Sequence, residues 1–489
     1  MRRLALGAVS CALALAFAAV GCAGARSAAP GDIEMRMLKT WSDLTPAQAA
    51  FLDTLEQRTF NFFWDKTDSA TGLSPDRWPT NSFVSVGAVG FALTAYPIGA
   101  ERGYVPRAAA AERARNTLRW FANARQDTSA SGATGYRGFY YHFLVPETGL
   151  RFEKVELSTQ DTALLLAGAL FCQSYFDGRT PLEAEVRAYA ESLYARADWT
   201  WAQVRPPTIA LGWDPESGHL PYDWRGYNET VILHILALGS TTHPVSDALW
   251  PAYTQAYKWG TFQGQDHLGF APLFGHQYSH VWIDFRGIRD SAMTAHGLDY
   301  FENSRRATLA QRAYAMQNPS GFRGYGPDAW GLTACDGPLD STLTLGGRKR
   351  EFHTYDARGA SFDRIGDDGT LAPTAVGGSI PFAPEITVPT LLAMRQRYGA
   401  PLFGEYGFVD AFNPTLDVDV RTHHGRVVPG VGWFDTDMLG IDQGPILAML
   451  ENWRSDLVWK TMRSNPHLVR GLRRAGFKGG WLDHAEATR

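Results

Sequence analysis

The sequence is short of cysteine, of net charge and of long apolar runs, and each shortage closes off a class of protein. It holds four cysteines in 489 residues. Cys11 and Cys22 lie in the leading segment, which leaves Cys172 and Cys335. Two cysteines make no disulfide framework and these two have no metal-ligand spacing, although a single bridge between them stays open. Lysine and arginine number 46 against 50 aspartates and glutamates, so no basic face for nucleic acid is implied. After residue 30 no apolar stretch is long enough to span a bilayer. Phosphate-cradling glycine loops, nucleophile-elbow serines and EF-hand patterns are missing as well. What the chain has in quantity is rings: aromatics make up 13% of it, with 16 tryptophans. A ring-rich core is the plain reading of that number, and stacking on sugar faces is the functional one.

The first residues read as a targeting segment rather than as part of the fold. Arg2 and Arg3 precede an apolar stretch from Leu4 to Val20, the build of a secretory signal. Ala19-Val20-Gly21-Cys22 resembles a bacterial lipobox, with Ala19 where leucine is usual. That resemblance implies lipid attachment at Cys22, with the lipid as the only membrane anchor. Ala23, Gly24 and Ala25 include no aspartate, which by the same resemblance implies the outer membrane, facing periplasm or cell surface. The expected organisation is a signal over 1–21, a flexible tether over 22–45 and one domain over 46–489.

From Thr45-Pro46 onward the pattern is helical, with little strand-like alternation. Phe51–Phe63, Arg107–Arg125 and Pro181–Val204 are amphipathic, whereas Phe83–Tyr96, Leu157–Phe176 and Asn228–Leu238 are apolar nearly all round. Ser246–Trp259, Ser291–Gln317, Ile386–Tyr398 and Gly444–Lys460 continue the series. A helix apolar on every side must be buried on every side, and an amphipathic one keeps a wet face. Alternating the two kinds describes an inner ring of helices wrapped by an outer ring, an all-α (α/α)6 barrel. A helical solenoid is the alternative, but no fixed-period repeat is seen. The stretch from Asn318 to Pro384, rich in Gly, Pro, Asp and Thr, reads as long loops with room for a short hairpin.

Three acids share one setting. Asp161, Glu229 and Asp442 each stand where a wholly apolar helix begins. Helix capping explains any one of them, because a carboxylate there accepts free N–H groups and meets the positive end of the dipole. Together they imply more. Inner helices of a double ring start at the same end, so these acids converge on one opening, with Tyr222, Trp224, Tyr227 and Trp433 in the same stretches. Two carboxyls beside stacking rings are the requirement of glycosidic-bond hydrolysis. Glu229 has the most aromatic neighbours in sequence, and desolvation by rings raises a carboxyl pKa, so it is the expected general acid.

The stretches Ser158-Thr159-Gln160-Asp161-Thr162-Ala163, Trp224-Arg225-Gly226-Tyr227-Asn228-Glu229 and Gly440-Ile441-Asp442-Gln443-Gly444-Pro445 resemble motifs of the glucoamylase-like domain of bacterial proteins. So do Trp282-Ile283-Asp284-Phe285-Arg286, the run from Trp330 through Asp336 to Pro338, and Pro384-Glu385-Ile386-Thr387-Val388-Pro389. The resemblance spans about residues 50–477. It implies glycoside hydrolase family 144, the endo-β-1,2-glucanase type, with an (α/α)6 barrel and inversion at the anomeric carbon. It further implies Glu229 as general acid and Asp161 and Asp442 as acids in the cleft; which of the two handles the water stays open, with Asp161 ranked ahead of Asp442, and no cofactor or metal is expected. Expected sugar contacts are Tyr222, Trp224, Tyr227, His276, Trp282, Asp284, Arg286, Trp330, Asp336, Glu385 and Trp433.

Other groups are weighed and set aside. His276 and His280 have helical metal-pair spacing but no third ligand nearby, which favours hydrogen bonding. His423 and His424 read as solvated. Asp284, Arg286, Arg289 and Asp290 fit an ion-pair network or a sugar contact equally. Asp214 and Glu216 read as a turn, and Asp336, Glu385 and Glu451 are reserve acids. Two other functions remain open: a glycan-binding protein without catalysis, and an (α/α)-barrel polysaccharide lyase.

Overall fold

A computed structural model describes residues 38–485; the expected signal segment and Cys22 lie outside them. Thr45 caps the first long helix, α1 (Pro46–Lys66), through a reciprocal bond pair with Gln48. The chain then alternates between two kinds of helix. α2 (Val86–Glu101), α4 (Thr159–Tyr175), α6 (Val231–Gly239), α7 (Tyr278–Trp282), α9 (Pro373–Gly377) and α11 (Gly440–Ser455) are buried over most or all of their length. α3 (Arg107–Asn123), α5 (Pro181–Arg196), α8 (Tyr300–Gln317) and α10 (Pro384–Tyr398) join α1 in presenting a wet face. α2 packs on α4, α4 on α6, α6 on α7, α7 and α9 on α11, and α11 returns to α2. The inner helices therefore close a ring. α12 (Pro466–Arg474) covers α6 from outside, where the short helix Leu249–Thr254 also packs. This is the (α/α)6 double ring. Among the described residues no helix is long and apolar enough to cross a membrane.

α2 and α4 meet backbone to backbone. A Cβ on Gly90 would stand 2.3 Å from the Leu164 carbonyl oxygen, and one on Gly168 would stand 2.2 Å from the Gly90 oxygen. Two glycines thus let two backbones touch, and no larger residue fits without moving a helix.

Three inner helices are entered from short strands. Val84–Ser85 pairs with Phe143–Leu144 and leads into α2. Leu157–Ser158 lies in a five-stranded sheet between Phe139–Tyr141 and Gly212–Asp214 and leads into α4. Met438–Leu439 pairs with Arg77–Trp78 and leads into α11. These pairings pin the helix starts to one end of the barrel, hereafter the mouth.

Several expected elements differ in extent. The tether expected to run to residue 45 ends sooner: Leu38 is buried and Trp41 packs on Trp453, ring centroids 5.7 Å apart. The expected helix over 291–317 breaks at Gly297, whose φ of +68° suits glycine, and the cap Asp299 restarts it as α8. Asp456 at φ 63° ends α11 where a helix through Lys460 was expected. Only six residues, Leu249–Thr254, are α-helical in the expected 246–259 segment. The 318–384 stretch is loop with a hairpin, Ser341–Leu345 against Arg348–Phe352, a shorter one, Gly359–Ala360 against Ile365–Gly366, a pairing of Ala334–Cys335 with Asp356–Ala357, and the short helix α9. Cys172 and Cys335 are both free and buried.

Candidate active site

At the mouth lies a cavity of about 260 Å³, whose lining includes Asp161, Glu229, His142, Trp224, Tyr278 and Tyr355. α4, α7 and α11 send first-turn residues here, Asp161, Tyr278 and Ile441, and Glu229 comes from the turn before α6. Gly87 at the start of α2 leaves room for Asp161: a Cβ there would come within 2.6 Å of Asp161 Oδ1 and 3.5 Å of Ile441 Cδ1. Thr374 of α9 donates to the Asp442 carbonyl at 2.8 Å.

Asp161 is the third residue of α4. Its N–H donates to the cap Ser158 Oγ at 3.1 Å, and that hydroxyl donates back to Asp161 Oδ2 at 2.6 Å. Glu229 sits two residues before α6, not inside it. Its carbonyl accepts from Ser279 Oγ at 2.7 Å and from Gln160 Nε2 at 3.3 Å, which ties the turn to α7 and α4. Burial pushes the Glu229 carboxyl up to about 7, and the Asp161 charge adds to the rise against a lowering backbone hydrogen bond. A carboxylic acid at that position keeps its proton near neutrality and can give it to a leaving oxygen.

Asp442 belongs to a second cluster deeper in the mouth. Its carboxyl lies beside that of Asp410. Burial and then Asp410 hold Asp442 well above the carboxylate range, and burial and then Asp336 raise Asp410 to about 7. Arg77 reaches this cluster from the strand beside α11, with Nη1 2.5 Å from Asp336 Oδ2 and Nε 3.1 Å from Asp76 Oδ2. Tyr278 stands between the clusters: after burial, Asp442 and Glu229 both act to raise its hydroxyl. Asp336, Asp410 and Asp435 have oxygens within 4.8 Å of one another, and so do oxygens of Asp336 and Asp437 with a ring nitrogen of His424. Either set has the spacing to hold a cation. Arg77 already brings positive charge to that place.

The structure brings only part of the expected sugar-binding set to this cavity. Trp224 lines it and donates from Nε1 to Thr159 Oγ1 at 2.9 Å. Asp336 lies in the deeper cluster. Tyr222 is 68% exposed, near the mouth but outside the lining. Tyr227 and His276 pack on each other in the wall, and His276 Nε2 bonds the Phe270 carbonyl at 3.0 Å. Burial drives the His276 imidazole down to about 3, so it stays neutral. Trp282, Trp330 and Trp433 are fully buried and spend their indole N–H groups on Thr94, Thr390 and the His424 carbonyl. Their family-like motifs mark core packing. Glu385 pairs with Arg305 at 2.5 Å on the outer ring.

Asp284 and Arg286 are at the other end of the barrel. With Arg463, Trp453 and Trp459 they line a larger recess of about 1090 Å³. Trp453 lies eleven residues beyond Asp442 on α11, about 16 Å along the helix. Glu451, a reserve acid, is also at this foot, near Glu56, Arg102 and Arg454. Asp214 and Glu216 are tied to the buried Arg151. His280 bonds Ser304 Oγ at 3.0 Å inside the core.

Residues missed by sequence reasoning include His142, Glu156, Tyr278, Tyr355, Asp76, Arg77, Asp410 and Asp435. The acid in Val409-Asp410-Ala411-Phe412, flanked by apolar residues, was a usable signal, since an acid is rarely buried without a partner or a task.

Known proteins resemble this arrangement over most of its length. The model of the Glycoamylase family, described as "Putative glucoamylase", matches residues 221–466. An exo β-1,2-glucooligosaccharide sophorohydrolase (non-reducing end) of Parabacteroides distasonis is 26% identical over 457 residues, covering 86% of this chain. The chain spans 57% of that relative's length. A crystal structure described as a putative glucoamylase from Bacteroides fragilis superposes with a TM-score of 0.76 at 30% identity, covering 89% of this chain and 98% of that one. The endo-β-1,2-glucanase of Chitinophaga pinensis, solved with sophorotriose and glucose, superposes at 0.75 with 26% identity, covering 89% and 100%. With half its length matched by the family model and a 30%-identical relative covered almost end to end, this chain belongs to the Glycoamylase family.

Proposed function

We propose that the protein is a glycoside hydrolase that cuts β-1,2-glucan with inversion, using Glu229 as general acid. The observation that carries this is Glu229 itself: its carboxyl, raised to about 7, shares one cavity with Asp161 and the Trp224 ring. Glu229 protonates the leaving glycosidic oxygen. Asp161, in the same cavity, takes the proton of the attacking water, which approaches the opposite face of the sugar ring. The names of the Parabacteroides and Chitinophaga relatives support a β-1,2-linked substrate. The chemistry described needs only these side chains and water.

A second reading of the base rests on the Asp410–Asp442 pair. Asp442 and Glu229 both act on the Tyr278 hydroxyl, which lines the Glu229 cavity, so this pair is close enough to that cavity to supply the base. Azide distinguishes the two. An inverting enzyme stripped of its base takes azide in place of activated water. Restoration of turnover in Asp161→Asn supports the first reading, and restoration in Asp442→Asn or Asp410→Asn supports the second.

The primary test is product analysis on linear β-1,2-glucan, laminarin, cellulose and starch. Soluble oligosaccharides from β-1,2-glucan alone are expected. Products from starch alone overturn the linkage, retention without new reducing ends points to a binding protein, and unsaturated products absorbing in the ultraviolet point to a lyase. Lipid attachment at Cys22 belongs to the same proposal. Cys22→Ala releases the protein from the membrane fraction if it is right and leaves it there if it is wrong.

A further inference from the structure

His142 has no part in the chemistry proposed above, yet it lines the cavity between two acids. Its Nδ1 is 2.8 Å from Glu156 Oε1, and its Nε2 is 3.5 Å from Asp161 Oδ2. The backbone is held just as closely. His142 N–H donates to the Glu156 carbonyl at 2.9 Å, and the His142 carbonyl accepts from Val86 N–H, the first residue of α2, at 3.1 Å. The ring also lies on Phe143, centroids 3.9 Å apart. The backbone that carries the ring is thereby fixed to the entries of two inner helices.

A neutral imidazole carries one N–H and can donate to one carboxylate only; the other nitrogen would turn a lone pair toward an anion. Both nitrogens donate only when the ring is doubly protonated. The charged groups around it are Glu156 from the strand approach, Asp161 from α4 and Asp76 from the segment before Arg77–Trp78. All three are acids. Cations act on these acids in turn, Arg151 on Glu156 and Arg77 on Asp76 at 3.1 Å. We infer that His142 is a cationic clamp, a positioning residue that holds the Asp161 carboxylate in place facing Glu229. This rests on the reading of Glu229 and Asp161 as the working pair. The clamp divides the labour of two neighbouring carboxyls: the imidazolium secures the negative charge on Asp161, and Glu229, with no cation beside it, keeps the proton. Electrostatics agree with the geometry. Burial works to lower the His142 imidazole, but Asp161 and then Glu156 outweigh it and raise it to about 9.

The test compares His142→Gln, Glu156→Gln and Glu229→Gln in the full-length protein on β-1,2-glucan oligosaccharides, and follows the His142 ring nitrogens by NMR in the wild type. In the wild type the ring is expected to stay doubly protonated past pH 8. His142→Gln is expected to lower kcat by about 10²-fold through misplacement of the carboxylate, with KM changed little. The acid limb of its kcat/KM profile moves up by about one pH unit or more, as removal of a facing cation demands. Glu156→Gln moves that limb the same way by less and lowers the pH at which the His142 ring loses its second proton. A neutral His142 ring at pH 7 overturns the clamp, and so does an unmoved acid limb in either variant while Glu229→Gln is dead. An active Glu229→Gln instead overturns the reading of the acid pair. The NMR measurement on the wild type decides the matter even if His142→Gln does not fold.

Discussion

Replacing Glu229 by glutamine gives a stability signature as well as a kinetic one, and the two are independent. In the unfolded chain this carboxyl titrates near 4.5, and in the folded protein near 7. Below pH 4.5 it is protonated in both states and costs nothing. Between the two values the unfolded chain ionises while the folded one does not, so stability drains away as the pH rises. Above about 7 both are ionised and the loss is complete. At about 1.4 kcal/mol per pH unit, the full gap is about 3 kcal/mol. Glutamine has the same shape and never ionises. The variant is therefore expected to match the wild type in urea unfolding at pH 4 and to exceed it by about 3 kcal/mol at pH 8. Its turnover on β-1,2-glucan is expected to fall by about 10²- to 10⁴-fold, the usual worth of a general acid. In the wild type, kcat/KM falls as the pH passes about 7 and the acid gives up its proton. A stability offset that is flat with pH, or turnover near wild type, would refute the assignment.

Three further outcomes follow from the packing. Gly87→Ala places a methyl 2.6 Å from Asp161 Oδ1, the free end of a side chain; kcat is expected to drop while the urea midpoint barely moves, and steady-state kinetics beside unfolding curves check this. Gly90→Ala meets the Leu164 backbone at 2.3 Å instead, where nothing yields easily, so about 1–3 kcal/mol of stability is expected to be lost in the same unfolding assay. Arg77→Met strips the fully buried Asp336 of its guanidinium partner; it is expected to cost about 3–5 kcal/mol near pH 7. The loss shrinks as acidification protonates the cluster, which thermal melts at pH 5 and pH 8 can follow.

The double ring was legible because burial leaves its mark on composition. Residues 157–176 and 228–238 are apolar on all faces, and only an inner position satisfies such helices. Helix ends were less legible, because they depend on backbone turns such as Asp456 and Gly297 that hydrophobic periodicity does not record. Of the site, Asp161 and Glu229 could be placed because each stands at a helix start, and all inner starts share an end. The motif tryptophans were misleading for a physical reason. A conspicuous Trp reads alike whether its indole faces a sugar or, as in Trp282 and Trp330, a threonine inside the core. His142 and Asp410 went unread because they gain meaning only from partners distant in sequence, Glu156 and Asp161 for one and Asp442 for the other.

The described chain joins the barrel at the foot, where Trp41 rests on Trp453, and the acids stand at the far rim. Whatever precedes Leu38 therefore enters at the end of the barrel opposite the acids, and a glucan chain approaching the cavity does not meet the point where the described chain begins.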